Sequence, residues 1–251
     1  MKKTLLEIVQ DILNDLDSDE VNSIDDTTES QQVAQIVKTC FEEIIGNRNW
    51  PHLKKLIQLE ASNSLQRPNY LKIPELVKEL LSFQYNSVKA GDTSIKYKEV
   101  VYKYPDEFLS IVNNRNSSLS TTSVITDTSG TKLIIYNNQS PQFWTSFDDE
   151  SIVCDSYDAA VDDTLKQSKT QVVAYVEPTW LHEDTAIPDL PSEAFPLLQA
   201  EAKSTAFVAL KQLANQKAEQ KASRQQRWLS RKAWKAKGGV RYEDYGRKGR
   251  K

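Results

Sequence analysis

The clearest hydrophobic pattern lies in residues 28–46, where apolar side chains recur at spacings of three and four residues. This periodicity predicts a helix with one buried face. We expect the helix to end at Gly46-Asn47, because both residue types readily adopt a left-handed helix cap. Trp50 is the next predicted core residue, and it stands before a proline that favours an extended backbone. The core face of the helix consists of Val33, Ile36, Val37, Cys40, Phe41, Ile44 and Ile45.

A shorter amphipathic pattern precedes this helix. Thr4 and Glu7 have the spacing of a capping box, in which each side chain bonds a backbone amide at the start of a helix. The acidic run DLDSDE is unfavourable at the C-terminal end of a helix dipole, so we expect the first helix to end there. Its predicted buried face is Leu5, Ile8, Val9, Ile12, Leu13 and Leu16.

Residues 54–176 have a different pattern, with short runs in which apolar and polar residues alternate. Examples are LLSFQYNSV, TKLIIYN and TQVVAYV, and turn-forming stretches such as DTSGT and NNQSP separate them. This organisation predicts several strands, in a two-sheet sandwich or a small barrel. The run PDEFLSIVNNRN predicts a short helix between strands.

A helical pattern returns near residue 192, for which Ser192 is a candidate N-cap. We expect this helix to pack on the second helix and to continue to about Lys237, where Gly238-Gly239 breaks it. Its apolar stripe consists of Phe195, Leu198, Ala202, Ala206, Ala209, Leu210 and Leu213.

Together these patterns predict an α+β fold. A helical bundle is formed from both ends of the chain, an antiparallel β-sandwich or barrel-like domain is inserted into it, and a basic C-terminal arm follows. The predicted segments are 1–52 for the first part of the bundle, 53–186 for the inserted domain, 187–215 for the closing helix and 216–251 for the arm, helical and then extended.

Charge is divided unevenly along the chain. The formal net charge is −3, yet residues 211–251 contain 14 Lys and Arg against 3 Asp and Glu, so the remainder is strongly acidic. A basic tail usually binds an anionic or acidic partner. Aromatic residues stand among these charges, and bulky aromatics tend to anchor interfaces. The arm could therefore bind nucleic acid, insert into a protein groove, or only aid solubility.

Candidate chemistry is sparse in the sequence. His52 and His182 lack companions at zinc-ligand spacing, and the two cysteines are too few for a disulfide framework. Asp148, Asp149 and Glu150 form an acidic turn without the pattern of a calcium loop. There is no GxGxxG or GxxxxGK[ST] motif and no nucleophile elbow. We therefore expect a non-enzymatic protein without a cofactor; an enzyme with an unrecognised site is the remaining alternative.

No apolar run approaches the ~20 residues that span a bilayer. The first residues, MKKTLLEIVQDILNDLD, contain acids too early for a signal peptide. We expect a protein that is made in a cytoplasm-like setting and has no membrane partner.

Three stretches resemble the head-to-tail adaptor proteins of tailed bacteriophages, also called tail tubular protein A or portal-adjacent accessory factors. They are VNSIDDTTESQQVAQIVKTCFEEIIGNRNW, SPQFWTSFDDESIVCDSYD and IPDLPSEAFPLLQAEAKSTAF. The resemblance covers most of residues 1–215 and consists of core and turn patterns rather than a catalytic signature.

This resemblance implies a virion protein at the head-tail junction, assembled in the host cytoplasm. It implies a ring, usually of twelve copies, that binds the portal protein and a tail nozzle or tail tube protein and continues the channel for double-stranded DNA. The arm would then contact the portal. The alternative is a nucleic-acid-binding protein that uses the same arm. The predicted contact residues of the arm are Arg224, Arg227, Trp228, Arg231, Trp234, Lys235, Arg241, Tyr242 and Tyr245.

Overall fold

The computed structural model describes residues 2–89, 91–92, 94–212 and 215–231, with the backbone alone for residues 230 and 231. This part of the chain has a mixed α+β fold. Its helices are α1 (Leu5–Asp15), α2 (Thr28–Gly46), α3 (Pro105–Asn113), α4 (Phe195–Lys211) and α5 (Gln216–Arg231). Its strands are β1 (Lys54–Ile57), β2 (Glu60–Ala61), β3 (Tyr70–Lys72), β4 (Val77–Asn86), β5 (Tyr97–Glu99), β6 (Val101–Tyr102), β7 (Thr122–Thr126), β8 (Lys132–Tyr136), β9 (Phe143–Thr145), β10 (Ser151–Cys154) and β11 (Thr170–Val176).

The chain forms two compact units. Among the described residues, the helical unit contains the chain up to Leu53 and from Pro178 to Arg231, and the strand unit is Lys54–Glu177. The strand unit thus ends at Glu177, earlier than residue 186, where the inserted domain was predicted to end. The reason is that the segment before α4 packs on the start of α1: the Leu5 amide donates to the Ala186 carbonyl at 2.8 Å, and the Leu6 amide donates to the Asp184 carbonyl at 3.2 Å.

The capping box at the start of α1 is confirmed. Thr4 accepts a hydrogen bond from the Glu7 amide at 3.2 Å, and the Glu7 carboxylate accepts one from the Thr4 amide at 2.9 Å. These bonds satisfy amides that a helix start leaves without intrahelical partners. All six residues of the predicted apolar face, from Leu5 to Leu16, are buried.

The face of α2 is buried as the periodicity indicates, except that Ile36 is only half-buried. The predicted left-handed cap is wrong: Asn47 has φ −63°, which is right-handed backbone. The indole of Trp50 instead donates its Nε1–H to the Ile44 carbonyl at 2.9 Å, which satisfies one of the free carbonyls at this helix end. The buried residues of the predicted core set are Val33, Val37, Cys40, Phe41, Ile44, Ile45 and Trp50.

Two predictions for the closing helix are wrong. The helix begins at Phe195 after the N-cap Ala194, without a side-chain cap, so Ser192 does not serve that role. It also does not continue unbroken into the arm, because Gln212 adopts a left-handed conformation (φ 54°) and a second helix, α5, begins at Gln216. The predicted end near Lys237 and the break at Gly238-Gly239 lie outside the described residues. Of the predicted stripe on α4, Ala209 is exposed, Leu210 is half-buried and Leu213 lies outside the described residues. The buried members are Phe195, Leu198, Ala202 and Ala206.

The described part of the strand unit contains three sheets. The first has the order β1-β11-β4-β5, the second has the order β2-β3-β10-β9-β6, and β7 and β8 form a hairpin. All pairings between these strands are antiparallel except the parallel pair β6–β9. None of the sheets closes into a barrel within the described residues, which excludes the barrel alternative for this part of the chain.

Two apolar clusters form the interior of the strand unit. The larger one joins side chains from both larger sheets, including Phe83 of β4, Trp144 of β9 and Val172 of β11. The smaller one joins α3 to the β7–β8 hairpin through Phe108 and Ile135. α3 begins with Pro105, whose missing amide costs nothing at the first turn of a helix.

A buried ion pair joins α3's C-terminal end to β10's C-terminal end. Arg115 Nη2 lies 2.7 Å from Asp155 Oδ2, and the two side chains are only 6% and 1% exposed. Asp155 Oδ1 also accepts the backbone amides of Gln142 and Phe143, each at 2.9 Å. The guanidinium lies 4.0 Å above the centre of the Tyr136 ring. Every charge in this network therefore has a partner, which is the condition for burying charge at acceptable cost.

Candidate protein-binding surface on α5

Helix α5 is attached to the helical unit through a narrow buried stripe. Ala218, Ala222 and Leu229 are buried, at spacings of four and seven residues, and α5 contacts α4. Small residues on this stripe allow the two helices to approach closely. Sequence reasoning missed this packing because two of the three buried residues are alanines in a strongly polar segment. The available signal was their spacing of four residues.

The remaining surface of α5 is basic and contains one large aromatic residue. The helix contains five Lys and Arg against one acid, Glu219. Arg224, Arg227 and Trp228 are exposed, and their spacings of three and four residues place them on one side of the helix. Trp228 is 44% exposed. This combination of a partly exposed indole and adjacent guanidinium groups is typical of interface anchors.

The structure describes only some of the arm residues predicted from the sequence. It brings Arg224, Arg227 and Trp228 together on α5, and Arg231 is the last residue of that helix. The predicted contacts Trp234, Lys235, Arg241, Tyr242 and Tyr245 lie outside the described residues.

Arg48 holds the C-terminal part of α5 in place, and this residue was not predicted. Its Nη1 donates to the Leu229 carbonyl of α5 at 3.2 Å. The guanidinium lies 3.9 Å from the centre of the Trp50 ring, and burial lowers the pKa of Arg48. Arg48 thus connects the end of α2 to the Leu229 carbonyl of α5.

A cavity of about 190 Å³ lies beside this contact. Glu43 and Glu201 line it together with Cys40, Arg48 and Trp50. Burial, followed by the negative charges of Glu43 and Glu219, raises the pKa of Glu201.

Cys40 itself is poorly suited to nucleophilic chemistry. Its thiol lies 3.9 Å from the Thr205 hydroxyl. Burial raises the pKa of the thiol to about 11, so the reactive thiolate is scarce at neutral pH. Burial also raises the pKa of Cys154.

The described residues offer no obvious alternative site for chemistry. No group of three or more His, Cys, Asp or Glu side chains in this part of the chain could hold a metal ion. His52 contacts the Asp189 carbonyl through Nε2 at 3.0 Å, a bond that connects the end of α2 to the segment before α4. Across the same residues, no helix has the length and apolar character needed to cross a membrane.

Comparison with known proteins does not identify a functional surface, so the geometry of the described residues is the basis for choosing one. No protein-family model matches the chain, and no curated protein shows significant sequence similarity to it. The basic, Trp228-bearing face of α5, a helix that Arg48 bonds at Leu229, is the candidate functional surface.

Proposed function

We propose that this protein is a structural adaptor of a tailed bacteriophage, which forms a ring between the capsid portal and the tail. The observation that carries the proposal is the exposed group of Arg224, Arg227 and Trp228 on α5. It lies on a packed helix rather than on a free tail, so much of the entropy of ordering it has already been lost when a partner arrives. A portal-side groove that is acidic and apolar fits this chemistry.

The finer architecture belongs to the same proposal. The helical unit is a bundle that forms the body of the ring, of twelve copies, and the strand unit is a β-sandwich that faces a tail nozzle or tail tube protein. Repetition of the α5 surface around a ring adds avidity even when each contact is weak. The acidic remainder of the chain suits a channel wall, because like charge discourages double-stranded DNA from adhering. The protein is then a virion component at the head-tail junction and not an enzyme.

The test uses the full chain and the portal protein encoded in the same genome. Removing α5 is a poor experiment, because α4 contacts α5 and would be exposed. The variant Arg224→Glu/Arg227→Glu/Trp228→Ala alters only exposed side chains and keeps the buried stripe. Its matched control is Lys54→Glu/Lys55→Glu, the same charge change on the exposed strand β1.

Negative-stain electron microscopy and native mass spectrometry then measure ring formation and portal capture. We expect the wild type and the control to bind portal rings and the triple variant to lose at least about tenfold in affinity, equivalent to about 1.4 kcal/mol. Undiminished capture by the triple variant would refute the assignment of the α5 surface. Failure of the wild type to form rings or bind portal would refute the adaptor function itself.

The second candidate function is nucleic-acid binding, which the basic residues of α5 favour. Its signature is salt dependence, because neutralised phosphates release counterions and affinity falls steeply as salt rises. Fluorescence anisotropy with labelled double-stranded DNA at 50 and 200 mM NaCl distinguishes the candidates. Tight DNA binding that is lost in the Arg224→Glu/Arg227→Glu variant would support this candidate over the adaptor.

A further inference from the structure

We infer that Arg48 is a latch on α5, which exchanges its hydrogen-bond partner between the Leu229 carbonyl and the Glu201 carboxylate. The first arrangement holds α5 on the helical unit, and the second releases it. The inference concerns regulation of the α5 surface, and it rests on the proposed function for its biological meaning. The latch itself is a property of the free chain, so it is tested without a portal protein.

Arg48 uses only part of its hydrogen-bonding capacity in the present arrangement. Its Nη1 donates to the Leu229 carbonyl at 3.2 Å, and its guanidinium lies 3.9 Å from the centre of the Trp50 ring. The Nε–H is shielded from solvent and has no hydrogen-bond acceptor within the described chain. No carboxylate in that part of the chain forms an ion pair with Arg48. A guanidinium has five donors and a fixed charge, so it is costly to shield from water without a countercharge.

The missing countercharge lies in the same cavity. Glu43 and Glu201 line the space of about 190 Å³ that Arg48 also lines. Glu201 is half-buried and, among the described residues, forms no ion pair. Glu43 is exposed, so water solvates its charge. Glu201 is therefore the acid that gains more from a cationic partner, and a change of the Arg48 rotamer within the cavity would supply that partner.

The charges around Glu201 act against the docked arrangement once this carboxyl is ionised. Burial, followed by the negative charges of Glu43 on α2 and Glu219 on α5, raises the pKa of Glu201. Cys40 of α2 also lines the cavity, but its raised pKa keeps its thiol neutral. Arg48 is the one Lys or Arg among the described residues that line this space. An ionised Glu201 thus repels Glu219 on α5 and attracts Arg48 away from it.

The remaining neighbour of α4 does not neutralise Glu201. α1 also packs on α4, but its acids bond to other residues of that helix. Asp11 accepts a hydrogen bond from Gln199 at 2.7 Å, and Asp15 forms an ion pair with Lys203. These contacts leave Arg48 as the available cation for Glu201 in the described part of the helical unit.

The contact that opposes release of α5 is small. The buried stripe of this helix consists of Ala218, Ala222 and Leu229, and two of these side chains are single methyl groups. Little apolar surface is therefore exposed when α5 separates from α4. A difference of one ion pair between the two arrangements is then sufficient to change their populations.

Linkage gives the direction of the change with pH. The docked arrangement raises the pKa of Glu201, so it binds a proton more tightly than the released arrangement does. Docking is therefore strongest below that pKa and weakens as the pH rises through it. Low pH holds α5 and its exposed basic surface in place, and higher pH releases them.

The first measurement is hydrogen exchange of the full chain by mass spectrometry, with protection factors corrected for the intrinsic effect of pH on exchange. We expect the protection of α5 relative to α2 to fall at least about threefold between pH 4.5 and pH 7.0 in the wild type. In Glu201→Gln the side chain stays uncharged, so protection should remain high at both pH values. The matched control is Glu42→Gln, which removes a charge from α2 outside the cavity and should behave as the wild type.

Arg48→Ala separates a latch from simple repulsion between carboxylates. Without the guanidinium neither arrangement can form, so the protection of α5 should be low at both pH values and should lose most of its pH dependence. An undiminished pH dependence in Arg48→Ala would overturn the inference, because repulsion alone would then explain it. Unchanged protection of α5 between the two pH values in the wild type would also overturn it.

The second measurement is the nitrogen chemical shift of Arg48 Nε by NMR, assigned through its absence from the spectrum of Arg48→Ala. We expect this shift to change between pH 4.5 and pH 7.0 in the wild type, as Glu201 becomes the acceptor, and to stay constant in Glu201→Gln. A constant shift in the wild type, or the same change in Glu201→Gln, would refute the exchange of partners. A working latch in a chain that does not bind portal rings would refute the proposed function alone.

Discussion

The buried pair of Arg115 and Asp155 allows the sharpest test of what holds the strand unit together. In Asp155→Asn the new side-chain oxygen can still accept the amides of Gln142 and Phe143, which the aspartate holds at 2.9 Å. The new amide group, however, would face the guanidinium of Arg115, 2.7 Å from the present carboxylate oxygen, and it has no charge to offer. The substitution therefore removes the countercharge while preserving the shape.

The expected cost follows from burial. Arg115 is 6% exposed, so water cannot replace the lost carboxylate, and breaking one half of a buried pair typically costs about 3–5 kcal/mol. The comparison variant is Glu107→Gln, which breaks the exposed pair of Lys103 and Glu107 at 3.1 Å and should cost less than about 1 kcal/mol. Arg115→Lys keeps the charge but should still destabilise the strand unit. An ammonium group lacks the planar fork that contacts both the carboxylate and the carbonyl of Asp155.

Urea denaturation of the full chain, followed by tryptophan fluorescence and far-ultraviolet circular dichroism, measures these differences. The chain has two units, so each transition is assigned separately before free energies are compared. In the double variant Arg115→Met/Asp155→Asn no unpaired charge remains, so its cost should fall well below the sum of the single costs. A cost below about 1 kcal/mol for Asp155→Asn, or additive costs in the double variant, would refute this reasoning.

The other predictions concern the helical unit. Burial raises the folded-state pKa of Glu201, so the folded protein binds more protons than the unfolded chain, and its stability falls as the pH rises through that pKa. Glu201→Gln should therefore be more stable than the wild type at pH 7, and this gain should be lost below about pH 4. Thermal melts across pH would measure the difference. Arg48→Ala should increase hydrogen exchange along α5, because the Leu229 carbonyl loses its donor, and unchanged exchange would contradict the role given to Arg48. Thr4→Ala should cost about 1 kcal/mol through loss of the cap of α1, measured by urea denaturation. Cys40, with its pKa raised to about 11, should react with a thiol reagent far more slowly than free cysteine at pH 8, and rapid reaction of the folded chain would argue against its burial.

Strong local periodicity made most elements predictable from the sequence. The face of α2 and the capping box of α1 depend on residues close in sequence, so their spacing is sufficient evidence. The break at Gln212 had no such signal, since glutamine is a good helix former and neither Gly nor Pro stands at that position. The position of α5 depends on contacts that are distant in sequence, since α5 packs against α4 and its Leu229 carbonyl is bonded to Arg48, 181 positions away. The same long-range dependence explains why the contact of Arg48 with α5 could not be predicted from the sequence.

The chain passes from the helical unit into the strand unit after Leu53 and returns at Pro178, which imposes an order on synthesis. α1 and α2 leave the ribosome first, yet α4, which contacts both of them, follows more than a hundred residues later. At about 5–20 residues per second, the apolar face of α2 waits on the order of 10 s for its cover. The strand unit is contiguous and is complete before α4 exists. A nascent chain that stalls within the strand unit would therefore expose Val37 and Phe41 to chaperones and to other chains, and translation speed through residues 54–177 should affect how much protein reaches its folded state.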